Sequence, residues 1–272
     1  MIPAAFITEW RKHAPFSQSA WVEQDLVISR ALVEMFRVPA VADRLAFRGG
    51  TALHKLFLTP AVRYSEDIDL VQITQEPIGA TLDLVRATLD PWLGEPRRVQ
   101  KMGRVNLLYR FKSEDSPAMP LRLKIEINSR EHFAEMGYKE APFRVTNRWF
   151  TGDAELTTFD LNELLATKLR ALYQRKKGRD LFDLSYSLER ELVDIGALLS
   201  CFKRYMSEDG NTVSRAQFEA NLDHKAHDPS FRSDIGPLLR PGLAYDFDSS
   251  MAMVLERLIR FLPGDPWKGG GL

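Results

Sequence analysis

The chain has a single cysteine, Cys201, among 272 residues. An internal disulfide is thereby excluded, and so sparse a use of thiols fits a reducing compartment. No uncharged apolar run approaches the ~20 residues that a bilayer-spanning helix needs, so no membrane partner is expected. The opening stretch MIPAAFITEWRKHAPF lacks a basic segment followed by an apolar one, and no signal peptide is expected there. Charge of one sign is not in excess, since 37 Lys and Arg balance 37 Asp and Glu. Bulk charge therefore does not mark a nucleic-acid binder, although local patches stay open. The five histidines are scattered without metal-ligand spacing, which argues against zinc, and no nucleophilic serine or cysteine motif stands out. Repeats and long low-complexity segments are missing as well. What remains is a cytoplasmic chain, expected to be a monomer, with room for one large domain or two moderate ones.

Periodicity supplies the elements. Val22, Leu26, Ile28, Leu32, Val33 and Phe36 recur at helical spacing over residues 19–36. RLAFRGG reads as a short strand ending in a glycine turn, TALHKLF as a brief helix starting near Thr51, and SEDIDLVQI as a strand. IGATLDLVRATLDPWL is helical and closes near Pro91, and VNLLYRFK and LRLKIEIN are two further strands. From about Thr157 the chain turns mostly helical, with LNELLATKLRALYQRKK and RDLFDLSYSLER as the first two helices. DIGALLSCFKRYM, SRAQFEANLDHKA, a segment after Pro229 and SSMAMVLERLIRFL continue the series. The glycine-rich tail PGDPWKGGGL is expected to be partly mobile. The fold class is therefore α+β: a small mixed-sheet α/β domain over residues 1–150 and a helical bundle over residues 151–272.

Within FRGGTALHKLFLTPAVRYSEDIDL three features suggest chemistry. On a strand, i and i+2 share a face, so Asp67 and Asp69 project together while Ile68 and Leu70 turn to the core. Parallel carboxylates repel unless a cation sits between them, and oxygen ligands of this kind suit Mg²⁺ or Mn²⁺ carrying substrate phosphates. A lone D-x-D is more often a solvated strand end. Gly49 and Gly50, however, precede a helix near Thr51, where free N–H groups can seat a phosphate and the Thr51 hydroxyl can add a hydrogen bond. Phosphate seat and carboxylate pair together describe a bound nucleoside triphosphate. In LRLKIEIN a third carboxylate, Glu126, centres a polar stripe with Lys124 and Asn128, the alternative being the exposed face of an edge strand. Three carboxylates can clamp two metals around an in-line displacement, and Glu126 can also take the proton of an attacking hydroxyl. Arg63 and Ser65 flank the strand as candidate phosphate contacts.

Read in order, GGTAL, RYSEDIDL, LKIEI and LLATKLRALYQRKKGRDLFDL resemble the AbiEii/AbiGii-type nucleotidyltransferase toxins, the MenT-like branch of the DNA polymerase β superfamily. The likeness covers roughly residues 22–184. It implies a mixed sheet with helices on one side, a helical C-terminal half, and Mg²⁺-dependent transfer of a nucleoside monophosphate from a triphosphate. The spacing from Thr51 to Asp67 exceeds the short helix usual in the wider superfamily, which bears on the phosphate contacts.

Asp160 and Glu163 fit a capping box for the helix that follows, and Lys168 falls within its apolar stripe. It is either a snorkelling or ion-paired lysine or a cation facing the cleft, the role of the matching lysine in the family. Gly178 reads as a helix terminator, and Asp180 and Asp183 then share one face of the next helix. They are either an N-cap and a first-turn acid or, as the resemblance implies, active-site groups that orient Lys168 or the nucleotide. KLRALYQRKKGR and RRVQKMGR, the latter near Tyr109 and Phe111, are basic clusters open to RNA or to solvent. Toxins of this family are associated with tRNA acceptor ends and a cognate antitoxin. The expected function is a toxin-type nucleotidyltransferase acting on RNA, with the tRNA 3′ end as acceptor. The alternatives are an enzyme modifying a protein hydroxyl or a small molecule, and a non-catalytic nucleotide-binding regulator.

Overall fold

The structure, a computed structural model, describes residues 2–114 and 117–269. The chain divides into two units, Met1–Phe159 and Asp160–Leu272. The first holds seven strands: β1 (Leu45–Arg48), β2 (Asp67–Gln72), β3 (Arg97–Lys101), β4 (Arg104–Lys112), β5 (Pro120–Asn128), β6 (Lys139–Thr146) and β7 (Thr151–Thr158), of which β4 and β5 show the clearest apolar alternation. They form one mixed sheet in the order β3-β4-β5-β2-β1-β7-β6. Only β2 with β5 and β1 with β7 run parallel. Phe47, Ile68, Leu70, Val105, Leu107, Leu123, Ile125 and Ile127 are all buried on one side of this sheet. Each such aliphatic side chain contributes about 1.5–3 kcal/mol by leaving water. Tyr109 and Phe111 lie on the same buried side, and the Tyr109 hydroxyl donates to Asp90 Oδ1 at 2.8 Å. These aromatics thus belong to the core and not to the basic cluster beside them.

Five helices complete the unit: α1 (Ala4–Trp10), α2 (Ser19–Phe36), α3 (Pro39–Ala42), α4 (Gly49–Ala52) and α5 (Gly79–Leu93). Helix α2 spans the predicted residues and packs on β5, β6, β7 and α5. It is buried nearly all round, and its polar residues are tied down accordingly. Gln24 Nε2 donates to the Arg122 carbonyl at 2.8 Å, and Glu23 accepts from the Glu114 N–H at 2.8 Å. Helix α5 continues through Pro91 to Leu93, two residues past the predicted close, and ends there after the proline has removed one N–H from its last turn. Helix α4 starts at Gly49, earlier than predicted, and passes into a π-helical turn over Leu53–Phe57.

The second unit holds α6 (Leu161–Gln174), α7 (Gly178–Glu189), α8 (Ile195–Glu208), α9 (Arg215–Ala226), α10 (Pro229–Ser233) and α11 (Phe247–Arg257). Asp160 caps α6 through the Asn162 N–H, but Glu163 does not close a capping box. Its carboxylate is buried and accepts from Tyr205 Oη at 2.8 Å, tying α6 to α8. The capping box lies instead on α9, between Ser214 and Gln217. Gly178 opens α7 where a terminator was predicted, and the reason is steric. A Cβ there would lie 2.2 Å from the Phe231 carbonyl oxygen, so only glycine lets α7 start against α10. Of the tail, Trp267 donates its backbone N–H to Glu219 at 2.7 Å, while Gly270, Gly271 and Leu272 lie outside the described residues. Among the described residues no helix is long and apolar enough to cross a membrane.

Gly178→Ala is expected to force backbone movement at the α7–α10 contact and cost about 1–3 kcal/mol. A thermal melt should show the midpoint falling by roughly 2–10 °C; an unchanged midpoint would mean the contact yields freely.

Candidate active site

Strand pairing assembles the site. Parallel pairing of β2 with β5 sets Asp67 opposite Lys124 and Asp69 opposite Glu126, so all four side chains share the sheet face turned away from the core. Antiparallel pairing of β1 with β2 adds Arg48 opposite Asp69, and that of β4 with β5 adds Asn106 opposite Glu126. The predicted carboxylate triple is therefore gathered on one face by register alone.

Lys124 sits among these acids. Its Nζ lies 3.1 Å from Asp67 Oδ2 and 3.0 Å from Glu126 Oε2. Burial disfavours its ammonium, but the two carboxylates outweigh that, and its pKa is raised above the usual lysine value. Arg104 Nη1 stands 3.5 Å from Glu126 Oε1, and Arg48 pairs with Glu131. Asp69 is less well provided. Burial, then the Asp67 and Glu126 charges, raise its pKa above the ordinary carboxylate value, and Lys124 and Arg48 offset this only in part. Asp67 Oδ1 is buried with no hydrogen-bond partner. Among the described residues no three His, Cys, Asp or Glu side chains form a ready metal cage. Mg²⁺ does not require one, because it takes one or two carboxylates and completes its shell with water and phosphate. An orphaned carboxylate oxygen beside a reluctant carboxylate fits a hard divalent cation.

Gly49 has φ +83°, and a Cβ on it would lie 2.2 Å from Asp69 Oδ2. Glycine is needed here both for the left-handed backbone and for close approach to the carboxylate. Gly50 is buried in the same turn, and the first N–H groups of α4 have no preceding turn to accept from them. The Thr51 side chain is turned elsewhere. Buried, it donates to the Asp67 carbonyl at 2.5 Å and lies 2.8 Å from Ser65 Oγ. Thr51 and Ser65 thus lock the start of β2 to α4. Arg63 is buried, and its guanidinium donates to the Tyr64 carbonyl at 3.0 Å.

In the second unit the structure brings Lys168, Asp180 and Asp183 together as predicted. Lys168 Nζ lies 2.9 Å from Asp183 Oδ2 and 3.2 Å from Asp180 Oδ1, with all three residues buried. Arg175, which the sequence reading passed over, grips Asp180 with two hydrogen bonds of 2.7 and 2.8 Å. Burial alone would raise the Asp180 pKa, but Lys168 and Arg175 outweigh it and hold the carboxyl below its usual value. Asp180 stands in the first turn of α7 and does not cap it; the N-cap position is Lys177. Its partner is the lysine, not the helix end. The sequence signal for Lys124 was present too, since it shares an i+2 face with Glu126, whereas nothing local marks Arg175 as the fourth member of this cluster.

A parallel strand pair carrying three carboxylates, entered through a strand–glycine–helix turn, is the arrangement of a nucleotidyltransferase. The sequence model of the family described as Nucleotidyl transferase AbiEii toxin, Type IV TA system, matches residues 30–253, and the chain belongs to that family. In structure it is similar to MenT4, the nucleotidyltransferase toxin Rv2826c of Mycobacterium tuberculosis H37Rv. The TM-score is 0.67 at 18% identity, over 97% of this chain and 91% of that one. JHP933 from Helicobacter pylori gives a TM-score of 0.53 at 18% identity, over 89% of this chain and 91% of that one. A comparison with curated proteins gives no match. The protein is thus a nucleotidyltransferase toxin, and a type IV toxin–antitoxin family implies a cognate antitoxin as partner.

The raised Asp69 pKa gives a signed prediction. An acid whose folded pKa lies above its unfolded value is penalised once the pH rises past the unfolded value, ~4, and towards the folded one. In chelator at neutral pH, Asp69→Asn should therefore melt at a higher temperature than the wild type, and the gap should close as the pH falls towards ~4. A wild type as stable as the variant at neutral pH would remove the penalty. Lys124→Met should do the reverse and lower the midpoint in chelator, since it leaves Asp67 and Glu126 facing each other without a cation.

Proposed function

We propose that this toxin transfers a nucleoside monophosphate from a nucleoside triphosphate to an RNA acceptor, the tRNA 3′ end, in a Mg²⁺- or Mn²⁺-dependent reaction. The observation that carries the reading is the carboxylate face itself: Asp67, Asp69 and Glu126 at adjacent register positions, with Asp67 Oδ1 buried and lacking a partner. Asp67, Asp69 and Glu126 are the groups that would hold the metal. When bound, the metal neutralises the triphosphate and lowers the pKa of the attacking hydroxyl. Lys124, which lies between Asp67 and Glu126, would have to give way for both to serve as ligands. The backbone N–H groups of Gly49 and Gly50 donate to a phosphate, and the tight Gly49–Asp69 contact holds phosphate seat and carboxylate at a fixed separation. In this reading Glu126 accepts the proton of the attacking hydroxyl and Asn106, its register partner, orients that group. The family resemblance makes Lys168, held by Asp183 and Asp180, the cation that would offset triphosphate charge.

Each α-³²P nucleoside triphosphate is offered with Mg²⁺ to total tRNA and to cell protein, with Asp69→Ala alongside. Label on tRNA that needs both the metal and Asp69 is the expected result. Label on protein alone would move the acceptor, and label unaffected by Asp69→Ala in a folded variant would remove the carboxylate site. Lys168→Ala should lower the rate at least tenfold with a raised KM for the triphosphate; unaltered kinetics would leave that lysine a purely structural ion pair.

A further inference from the structure

The sheet face that carries the carboxylates does not end at Glu126. Antiparallel register carries it across β5 and β4: Lys124 lies opposite Leu108, Arg122 opposite Arg110, and Pro120 opposite Lys112. On β3 the same face adds Arg97 opposite Leu108 and Lys101 opposite Arg104. Arg97, Lys101, Arg104, Arg110, Lys112 and Arg122 are all exposed. At the far end of the β4–β5 pair a groove of about 420 Å³ is lined by Arg110, Lys112, Pro120 and Arg122 of this face together with Phe111 and Leu121 of the core side, with no acid among these described residues. From Glu126 to Arg122 is four residues of strand, or roughly 13 Å at about 3.3 Å per residue.

The pairing of Arg110 with Arg122 is unfavourable on its own terms, since like charges directly opposite on antiparallel strands repel. Among the described residues the nearest relief is Glu66, 3.7 Å from Arg122 in an exposed pair, a type of contact worth little. Arg110 and Lys112 have no ion pair among the described residues. A neutral chain that stacks cations beside a carboxylate site has built local complementarity to a polyanion. Leu108 and Val99, half-buried between the cations, offer apolar surface on which an unstacked base can rest.

We propose that this β3–β4–β5 face, with Arg110, Lys112 and Arg122 at its centre, is the track for the single-stranded end of the RNA acceptor. The proposal deepens the nucleotidyltransferase reading and rests on it. The cations take successive phosphates, and the strand direction leads the RNA terminus along β5 towards Glu126. Open sheet and cations in line suit a flexible single strand better than a duplex, whose grooves demand an inserted element.

The test is RNA binding without catalysis. Fluorescence anisotropy of a labelled single-stranded RNA oligonucleotide is followed over a NaCl series for the wild type and for the triple variant Arg110→Ala, Lys112→Ala, Arg122→Ala. A control removes Lys139, Arg144 and Arg148, exposed cations on or next to β6 at the opposite edge of the sheet. The track predicts at least tenfold weaker binding for the triple variant near 0.1 M salt. It also predicts a log–log salt slope shallower by about 2, at roughly 0.7 per lost phosphate contact. Binding of a fluorescent nucleoside triphosphate should be unchanged, and replacing the two arginines by lysine while leaving Lys112 in place should retain most RNA affinity. Equal affinity and slope in the wild type and triple variant would overturn the track while leaving the enzyme reading intact. Equal loss in the β6 control would reduce the effect to general charge. A wild type that binds no RNA but captures an acidic peptide would overturn the RNA acceptor together with the track.

Discussion

Parallel pairing of β2 with β5 sets acids side by side where each worsens the position of the next, and much of the first unit is arranged around that repulsion. Lys124 stands between Asp67 and Glu126, Arg48 and Arg104 flank them, and Asp69 is still left with a raised pKa. The scaffold beneath is apolar and closely packed, so the strands cannot slip to relieve the strain: a shift of one residue would send Ile68 and Ile125 into the solvent face. Hydrophobic register thus enforces an electrostatic arrangement that no carboxylate would adopt freely. Stability given up here is the usual accompaniment of a site awaiting a charged ligand.

The second unit handles burial of charge differently. Lys168, Asp180, Asp183 and Arg175 form two acids against two cations, with the acids fully buried, so the cluster is closely balanced where the sheet face is not. A buried lysine fixed by two carboxylates keeps a single rotamer, which makes it a precisely placed cation. Removal of either aspartate would leave a buried charge short of its partner, so loss of function and loss of stability should travel together here. On the sheet face they should travel apart.

Legibility in the sequence followed the range of the interactions. The i+2 alternation in DIDL and KIEI was local and marked the carboxylate face correctly, as did the apolar spacing of α2 and α6. Strands β3, β6 and β7 were missed, because RRVQK, KEAPFRVT and TGDAELTT carry few apolar residues and owe their strand form to neighbours distant in the chain. Arg63 and Thr51 suggested phosphate contacts by type, yet tertiary packing turned one inward and used the other to staple β2 to α4. Gly49 was read as a phosphate seat; its close approach to Asp69 depended on a residue twenty positions further on and was invisible locally. Tyr109 and Phe111 beside the basic cluster were placed by the strand's other period, on the buried side.

Sheet order also sets a timetable. The strands β1 and β2 are neighbours in sequence and can pair early, but the partner of β2 on its outer side is β5, and the outer partner of β1 is β7. A nascent chain emerges from its N-terminus, so the carboxylate triple does not exist until Glu126 has been made, and β1 keeps a bare edge until Thr158 follows. A toxin built in this order has its carboxylate face only once close to half of the chain, 126 of 272 residues, has been made.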